Sequence, residues 1–314
     1  MRSVSTRSRL GLLAGSTALA AFVSVGTATA ASGPVNLNGS WAPFSRCPVD
    51  APAMLAADGQ SDTALCVSSH SANGSIKLGN SVVPTGASDL QLGVITHPDG
   101  SSTLVSPAGG ALVADSAQLP GGLLGLMCPS NVPLVSGICH QITDNSLNRV
   151  TATIESVNNP SDFTLLAGAT TGKPIVTLPV RIHLQNPFLG DKCYIGTSSD
   201  PILLRPQNVT APTPGTEAFD ADGTADPNGA LGRINLIGAN QGDSAYAVPG
   251  ASGCGLDLLN WAVNLKTALP SASGKNSVTL NSASTYVATL NDPASVAPGE
   301  GKALSDAWHS AVRP

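Results

Sequence analysis

Ile175-Val176-Thr177-Leu178-Pro179-Val180-Arg181-Ile182-His183-Leu184-Gln185 is the stretch that decides the fold. Its even positions, Val176, Leu178, Val180, Ile182 and Leu184, are all apolar, while Thr177, Arg181, His183 and Gln185 occupy the opposite face. Successive side chains of a strand point to opposite sides, so alternation this long reads as a strand with one face on a core and one in water. Residues 149–155 repeat the pattern, with Val150, Ala152 and Ile154 apolar between polar neighbours. Shorter runs of the same kind fall at 90–95, 103–106, 163–167, 202–205, 233–237, 278–280 and 286–290. Turn clusters such as Pro98-Asp99-Gly100 and Asp226-Pro227-Asn228-Gly229 separate them.

One segment breaks the period of two. Between 256 and 269, Leu258, Leu259, Ala262, Val263, Leu265 and Leu269 share one broad face, and Asp257, Asn260, Asn264 and Thr267 form a polar stripe opposite. That spacing predicts a short amphipathic helix, ended by Pro270, with its apolar face on the core or a sheet edge. The expected fold is therefore mainly β, antiparallel and β-sandwich-like, with one short amphipathic helix near residues 256–269. No internal repeat is visible. A single elongated β-rich domain over 31–314 is expected, two-lobed if the chain has a seam near 141–147.

The first thirty residues read as an export address. Arg2, Arg7 and Arg9 make a basic start, residues 10–25 are apolar apart from small residues, and Ala28-Thr29-Ala30 is a small-x-small cleavage site. This is the pattern of a signal peptide over residues 1–30. Removing its three arginines from the 15 basic residues leaves 12 against 20 acidic ones, a charge of −8. A surface of that sign repels phosphate backbones, so no nucleic-acid partner is expected. Beyond the leader no apolar run approaches the ~18 residues of a transmembrane segment. The expected location is secreted, either extracellular or held non-covalently at the cell envelope.

Six cysteines follow the leader: Cys47, Cys66, Cys128, Cys139, Cys193 and Cys254. An even count in an exported chain reads as disulfides, and six cysteines leave 15 pairings open. The sequential set, 47–66, 128–139 and 193–254, is favoured because shorter loops close more readily.

Candidate chemistry is sparse. Gly242-Asp243-Ser244 resembles the serine block of GDSL-type esterases, and Asp306-Ala307-Trp308-His309 resembles their closing Asp-x-x-His. On that reading His309 takes the proton of Ser244 and Asp306 orients the ring. The pattern departs from the family, whose serine opens a parallel α/β domain, whereas Ser244 lies late in a β-patterned chain. Asp220, Asp222, Asp226 and Asn228 form the densest oxygen cluster and would suit a structural calcium ion, although no acidic residue closes the loop as in an EF-hand. The histidines His70, His97, His140, His183 and His309 are scattered without zinc spacing. His183 shares the outward face of its strand with Arg181.

Three phrases carry a resemblance. Trp41-Ala42-Pro43-Phe44-Ser45-Arg46-Cys47-Pro48-Val49-Asp50, Pro120-Gly121-Gly122-Leu123-Leu124-Gly125-Leu126-Met127-Cys128-Pro129 and His183-Leu184-Gln185-Asn186-Pro187-Phe188-Leu189-Gly190 resemble those of exported actinobacterial proteins without an assigned activity. The resemblance implies an envelope or extracellular setting and carries no catalytic residues with it. The balance of these readings favours a non-enzymatic binding or structural role at the envelope. A secreted serine hydrolase and a calcium-stabilised adhesive module are the alternatives.

Overall fold

The alternating stretch at 175–185 forms a strand over its last eight residues. In the computed structural model, which describes residues 39–123 and 147–312, Leu178–Gln185 is a strand. Its Leu178, Val180, Ile182 and Leu184 are buried, Arg181 and His183 are half-buried, and Gln185 is exposed. The described residues belong to one compact unit, Val35–Pro314. The expected signal peptide, Cys128 with Cys139, and the expected seam at 141–147 (apart from Leu147) lie outside the described residues.

Sixteen strands are named along the described chain. They are β1 (Thr63–Ser71), β2 (Asn73–Leu78), β3 (Ser81–Thr85), β4 (Ser88–Thr96), β5 (Ser102–Val105), β6 (Leu112–Ala114), β7 (Ala117–Gln118) and β8 (Thr151–Ser156), then β9 (Leu178–Gln185), β10 (Tyr194–Ile195), β11 (Ile202–Leu204), β12 (Gln207–Asn208), β13 (Thr213–Phe219), β14 (Leu231–Asp243), β15 (Ala251–Ser252) and β16 (Ser277–Leu290). All pairings between them are antiparallel, in the order β12-β14-β16-β1-β4-β6-β8-β9-β10-β15, with the remaining strands on side branches. The narrow link through β6, where Val113 is the one residue paired with β8 at Glu155, lets the two halves of this sheet face each other. The larger core fills the space between them, joining Leu92 and Val94 of β4 to Val180 and Ile182 of β9. The fold is thus mainly β and sandwich-like, as the alternation implies.

A second core lies on the outer side of β14, β16, β1 and β4. Strand β1 serves both: Val67 belongs to the inter-sheet core, and Ala64 and Cys66 to the outer one. The cover consists of a 3-10 turn at Gly39–Phe44, a short helix α1 (Pro52–Leu55) and a C-terminal helix. Trp41, Phe44 and Met54 meet Leu304, Ala307 and Ala311 there. Arg46 clamps this cover to the sheet, donating to the Asp89 carboxylate and to the carbonyls of Asp89, Gly110 and Ala111. The Cys47–Cys66 disulfide ties the same segment to β1, and Cys193–Cys254 ties β10 to the turn after β15. Both belong to the sequential set.

The helix content corrects the expectation of a single helix. Among the described residues the helices are α1, α2 (Leu165–Ala169), α3 (Asn260–Thr267) and α4 (Glu300–Ala311). The apolar run at 163–167 is not a strand. Thr177 Oγ1 and Ser161 Oγ donate to the Asp162 carboxylate, whose residue has φ 55°, and the chain bends there into the single turn of α2. A short apolar run does not by itself distinguish strand from buried helix. The helix expected over 256–269 is shortened to eight residues because Leu256 and Asp257 take left-handed conformations, φ 54° and 69°. It stops at Ala268, itself left-handed at φ 56°.

Candidate functional site

The feature that stands out is the orientation of α3. Its polar residues hold it to the sheet. Asn264 Oδ1 accepts the Ala251 N–H of β15 at 2.6 Å, and Asn264 Nδ2 donates to the Ala251 carbonyl at 3.4 Å. Asn260 Oδ1 accepts the Cys254 N–H at 2.9 Å. Asp257 Oδ1 accepts the Gly253 N–H at 2.9 Å and an Asn260 Nδ2 donation at 2.7 Å, which together hold its carboxyl below the usual range. An edge strand offers unpaired amides and carbonyls, and a side-chain amide matches both in one residue.

That anchoring turns large apolar side chains outward. Ala262, Val263 and Leu269 are buried, but Leu256 is 93% exposed, Leu258 74%, Trp261 67% and Leu265 74%. Trp261 and Leu265 are four apart on α3 and share one face, and Leu258, in the turn just before the helix, extends the exposed apolar stripe. The neighbouring turn contributes Phe188, 56% exposed, and is tied to this segment by the Gly255 N–H donating to the Leu189 carbonyl at 2.8 Å. The expectation of an inward apolar face is therefore corrected: only Leu259, Ala262, Val263 and Leu269 take it. The spacing of Asn260 and Asn264 beside a strand edge was the available signal for the opposite orientation.

Ser244, Asp306 and His309 are not brought together. The Asp306 carboxylate accepts from Lys302 Nζ at 2.7 and 2.9 Å, one turn away on the exposed face of α4. His309 Nε2 instead lies 2.9 Å from both oxygens of Asp50, which also accepts the Ser305 hydroxyl at 2.7 Å. Burial pushes the Asp50 carboxyl up, but Ser305 and His309 outweigh it and hold the group below its ordinary value. Ser244 is exposed just past the end of β14 at which Asp243 faces Val278. Helix α4 packs at the other end, where Leu231 faces Leu290. Thirteen residues of strand separate the two ends, about 40 Å at the usual rise.

The acidic loop is closed on itself. Asp222 Oδ1 accepts the Thr224 N–H at 2.9 Å, and Asp226 Oδ1 accepts the Asn228 N–H at 2.8 Å. The Asp220 and Thr224 backbones bond to each other at 2.8 Å. These are turn-forming bonds, and the loop does not converge the four oxygen-bearing side chains of Asp220, Asp222, Asp226 and Asn228. Among the described residues no group of three or more His, Cys, Asp or Glu is gathered closely enough to hold a metal ion.

His183 sits in a polar network on the outer face of β8, β9 and β10. Its Nδ1 lies 3.0 Å from Glu155 Oε1, while Arg181 pairs with Glu155 Oε2 at 2.7 Å. The Tyr194 ring stacks on His183 at 4.5 Å and carries the Arg181 guanidinium 4.0 Å above it. Each charge has a partner inside the cluster, so the network braces three strands.

Comparison with known protein families, with curated proteins and with solved structures returns no match for this chain. Its function rests on its own geometry.

Proposed function

We propose that this chain is an exported, non-enzymatic binding protein that associates with the cell envelope through the outward stripe of Leu258, Trp261 and Leu265, with a lipid surface as the partner. The orientation of α3 is the observation that carries the reading. Its amide side chains occupy the bonds that hold it to β15, and its largest apolar groups face solvent. Trp and Leu on one side of a short, anchored helix suit the boundary between headgroups and acyl chains. Among the described residues no helix is long and apolar enough to cross a membrane, which fits attachment at a surface. The disulfides, the signal-like leader and the resemblance to exported actinobacterial proteins support the same setting.

Sedimentation of the protein with phospholipid vesicles tests the reading. Burying an exposed Leu or Trp is worth about 1.5–3 kcal/mol, so Trp261→Ser with Leu265→Ser should lower vesicle partitioning by at least about tenfold. The melting temperature should stay within about a degree or two, since both side chains are mainly in water. Failure of the unaltered protein to sediment, or equal partitioning of the double variant, refutes the lipid partner. Concentration-dependent self-association abolished by the same variant would assign the stripe to a second copy instead.

A further inference from the structure

The exposed apolar side chains do not belong to α3 alone. The turn between β9 and β10 is pinned to the core by Asn186, which is buried. Its Oδ1 accepts the Phe188 N–H at 2.8 Å, and its Nδ2 donates to the Leu147 and Arg149 carbonyls at 2.9 Å each. Leu189 is wholly buried in the inter-sheet core, while Phe188 beside it stays mainly in water. This turn and the loop before α3 are bound to each other at three points. The Gly255 N–H donates to the Leu189 carbonyl at 2.8 Å, and a Cβ at Gly255 would lie 3.2 Å from the Phe188 carbonyl oxygen. The Cys193–Cys254 disulfide closes the base. Phe188 and Leu256 therefore stand on adjacent turns in fixed relation, and they widen the α3 stripe into a patch drawn from two chain segments.

The shape and charge of this patch define its partner. Phe188, Leu256, Leu258, Trp261 and Leu265 are each more than half exposed, so they protrude rather than line a groove. A contiguous exposed apolar patch marks an interaction surface, and protruding side chains on rigid turns suit a partner that flows around them, as acyl chains do. The two segments, 186–192 and 253–267, carry Asp191, Lys192, Asp257 and Lys266, two charges of each sign. Arg149, whose carbonyl Asn186 holds, adds one basic side chain to a molecule of net charge −5. Recognition of anionic lipid takes a cluster of about four to eight Lys or Arg. Arg149, Lys192 and Lys266, offset by two carboxylates, do not make one.

We propose that the Phe188 turn and the α3 loop form one two-pronged wedge that enters an electrically neutral lipid surface, of the phosphatidylcholine class, by apolar insertion alone. Phe188 and Leu256 are its further insertion residues. This rests on the lipid partner of the proposed function and adds the second prong and the class of headgroup.

Sedimentation with vesicles of phosphatidylcholine, alone or mixed with phosphatidylglycerol, tests the headgroup class. The unaltered chain should bind the mixed vesicles no more than about twofold better, and added salt should not release it. A gain of about tenfold or more on the mixed vesicles that salt removes overturns the neutral surface and leaves the lipid partner standing. Phe188→Ser and Leu256→Ser should each lower partitioning about tenfold with little change in melting temperature, and Phe188→Leu should retain it. Moving the exposed indole reads its placement directly. The double variant Trp261→Phe, Phe188→Trp should be quenched by vesicles with brominated acyl chains, and Trp261→Phe alone much less. Partitioning unchanged by Phe188→Ser, or an unquenched indole at position 188, overturns the second prong even where Trp261→Ser with Leu265→Ser still releases the protein. A chain that binds neither kind of vesicle refutes the wedge and the lipid partner together.

Discussion

At the scale of single residues, Glu300 illustrates how an unremarkable side chain acquires a role through placement. It begins α4, is wholly buried, and accepts the Ala64 N–H of β1 at 2.9 Å through one oxygen, while the other has no partner. Burial is the main cause that pushes its carboxyl up to about 7; the Ala64 bond opposes this and the nearby Asp58 charge adds to it. The folded state therefore binds more protons than the unfolded state between about pH 4.5 and 7, and this group's contribution falls as pH rises through that window. The loss is about 3 kcal/mol by pH 8. Asp50 and Glu217 act in the opposite sense: their lowered values stabilise the fold above the ordinary carboxylate range and are lost in acid. Stability should therefore peak near about pH 5. Chemical denaturation across pH 4–8 should show the decline on the alkaline side, and Glu300→Gln should flatten it and raise stability at pH 8. An unchanged slope in the variant would mean that another group titrates there. None of this was legible in sequence, where Glu300 is one acid among twenty.

At the scale of elements, the cover over the outer core depends on a close approach of two backbones. Gly301 in the first turn of α4 sits against α1, and a Cβ there would lie 2.0 Å from the Met54 carbonyl oxygen. Its N–H donates to the Ala57 carbonyl at 3.0 Å. Gly301→Ala should cost about 1–3 kcal/mol through overpacking, despite the better helix propensity of alanine. Gly299→Ala is the matched control, since its nearest neighbour would be at an ordinary 3.6 Å. Thermal melts that rank the two variants equally would refute the close approach as the cause. Periodicity served some elements well and others poorly. Strands β8 and β9 have one wet face and declare themselves by alternation. Strand β1, with Ala64, Cys66 and Ser68 buried among small residues between two cores, does not alternate and escaped notice. The runs at 278–280 and 286–290 are both parts of β16, which spans a bulge in its pairing with β14.

At the scale of the whole molecule, the disulfides hold together pieces that share little sequence proximity. Cys193–Cys254 closes a separation of 61 residues and joins β10 to the loop that carries α3. Gly253 beside it approaches Lys192 so closely that a Cβ would lie 2.0 Å from the Lys192 carbonyl oxygen, at φ 71°. The paired variant Cys193→Ser, Cys254→Ser should lose about 2–4 kcal/mol and release the α3 loop, so hydrogen exchange at Ala251 and Cys254 should rise more than in the centre of β1. Uniform acceleration across the sheet would show global weakening alone.

The sequence by itself determined the β class and the one-sided strands, and it favoured, without fixing, the two disulfides observed. Period-two patterning and cysteine separation are local properties, readable without coordinates. Tertiary structure decided which residues meet. It separated Ser244 from His309 by the length of β14, gave His309 to Asp50, and closed the acidic loop on its own backbone. It also set the rotation of α3, with Asn264 bonded to β15 and Asn260 to the turn after it, so that Ala262 and Val263 face the core while Trp261 and Leu265 face solvent.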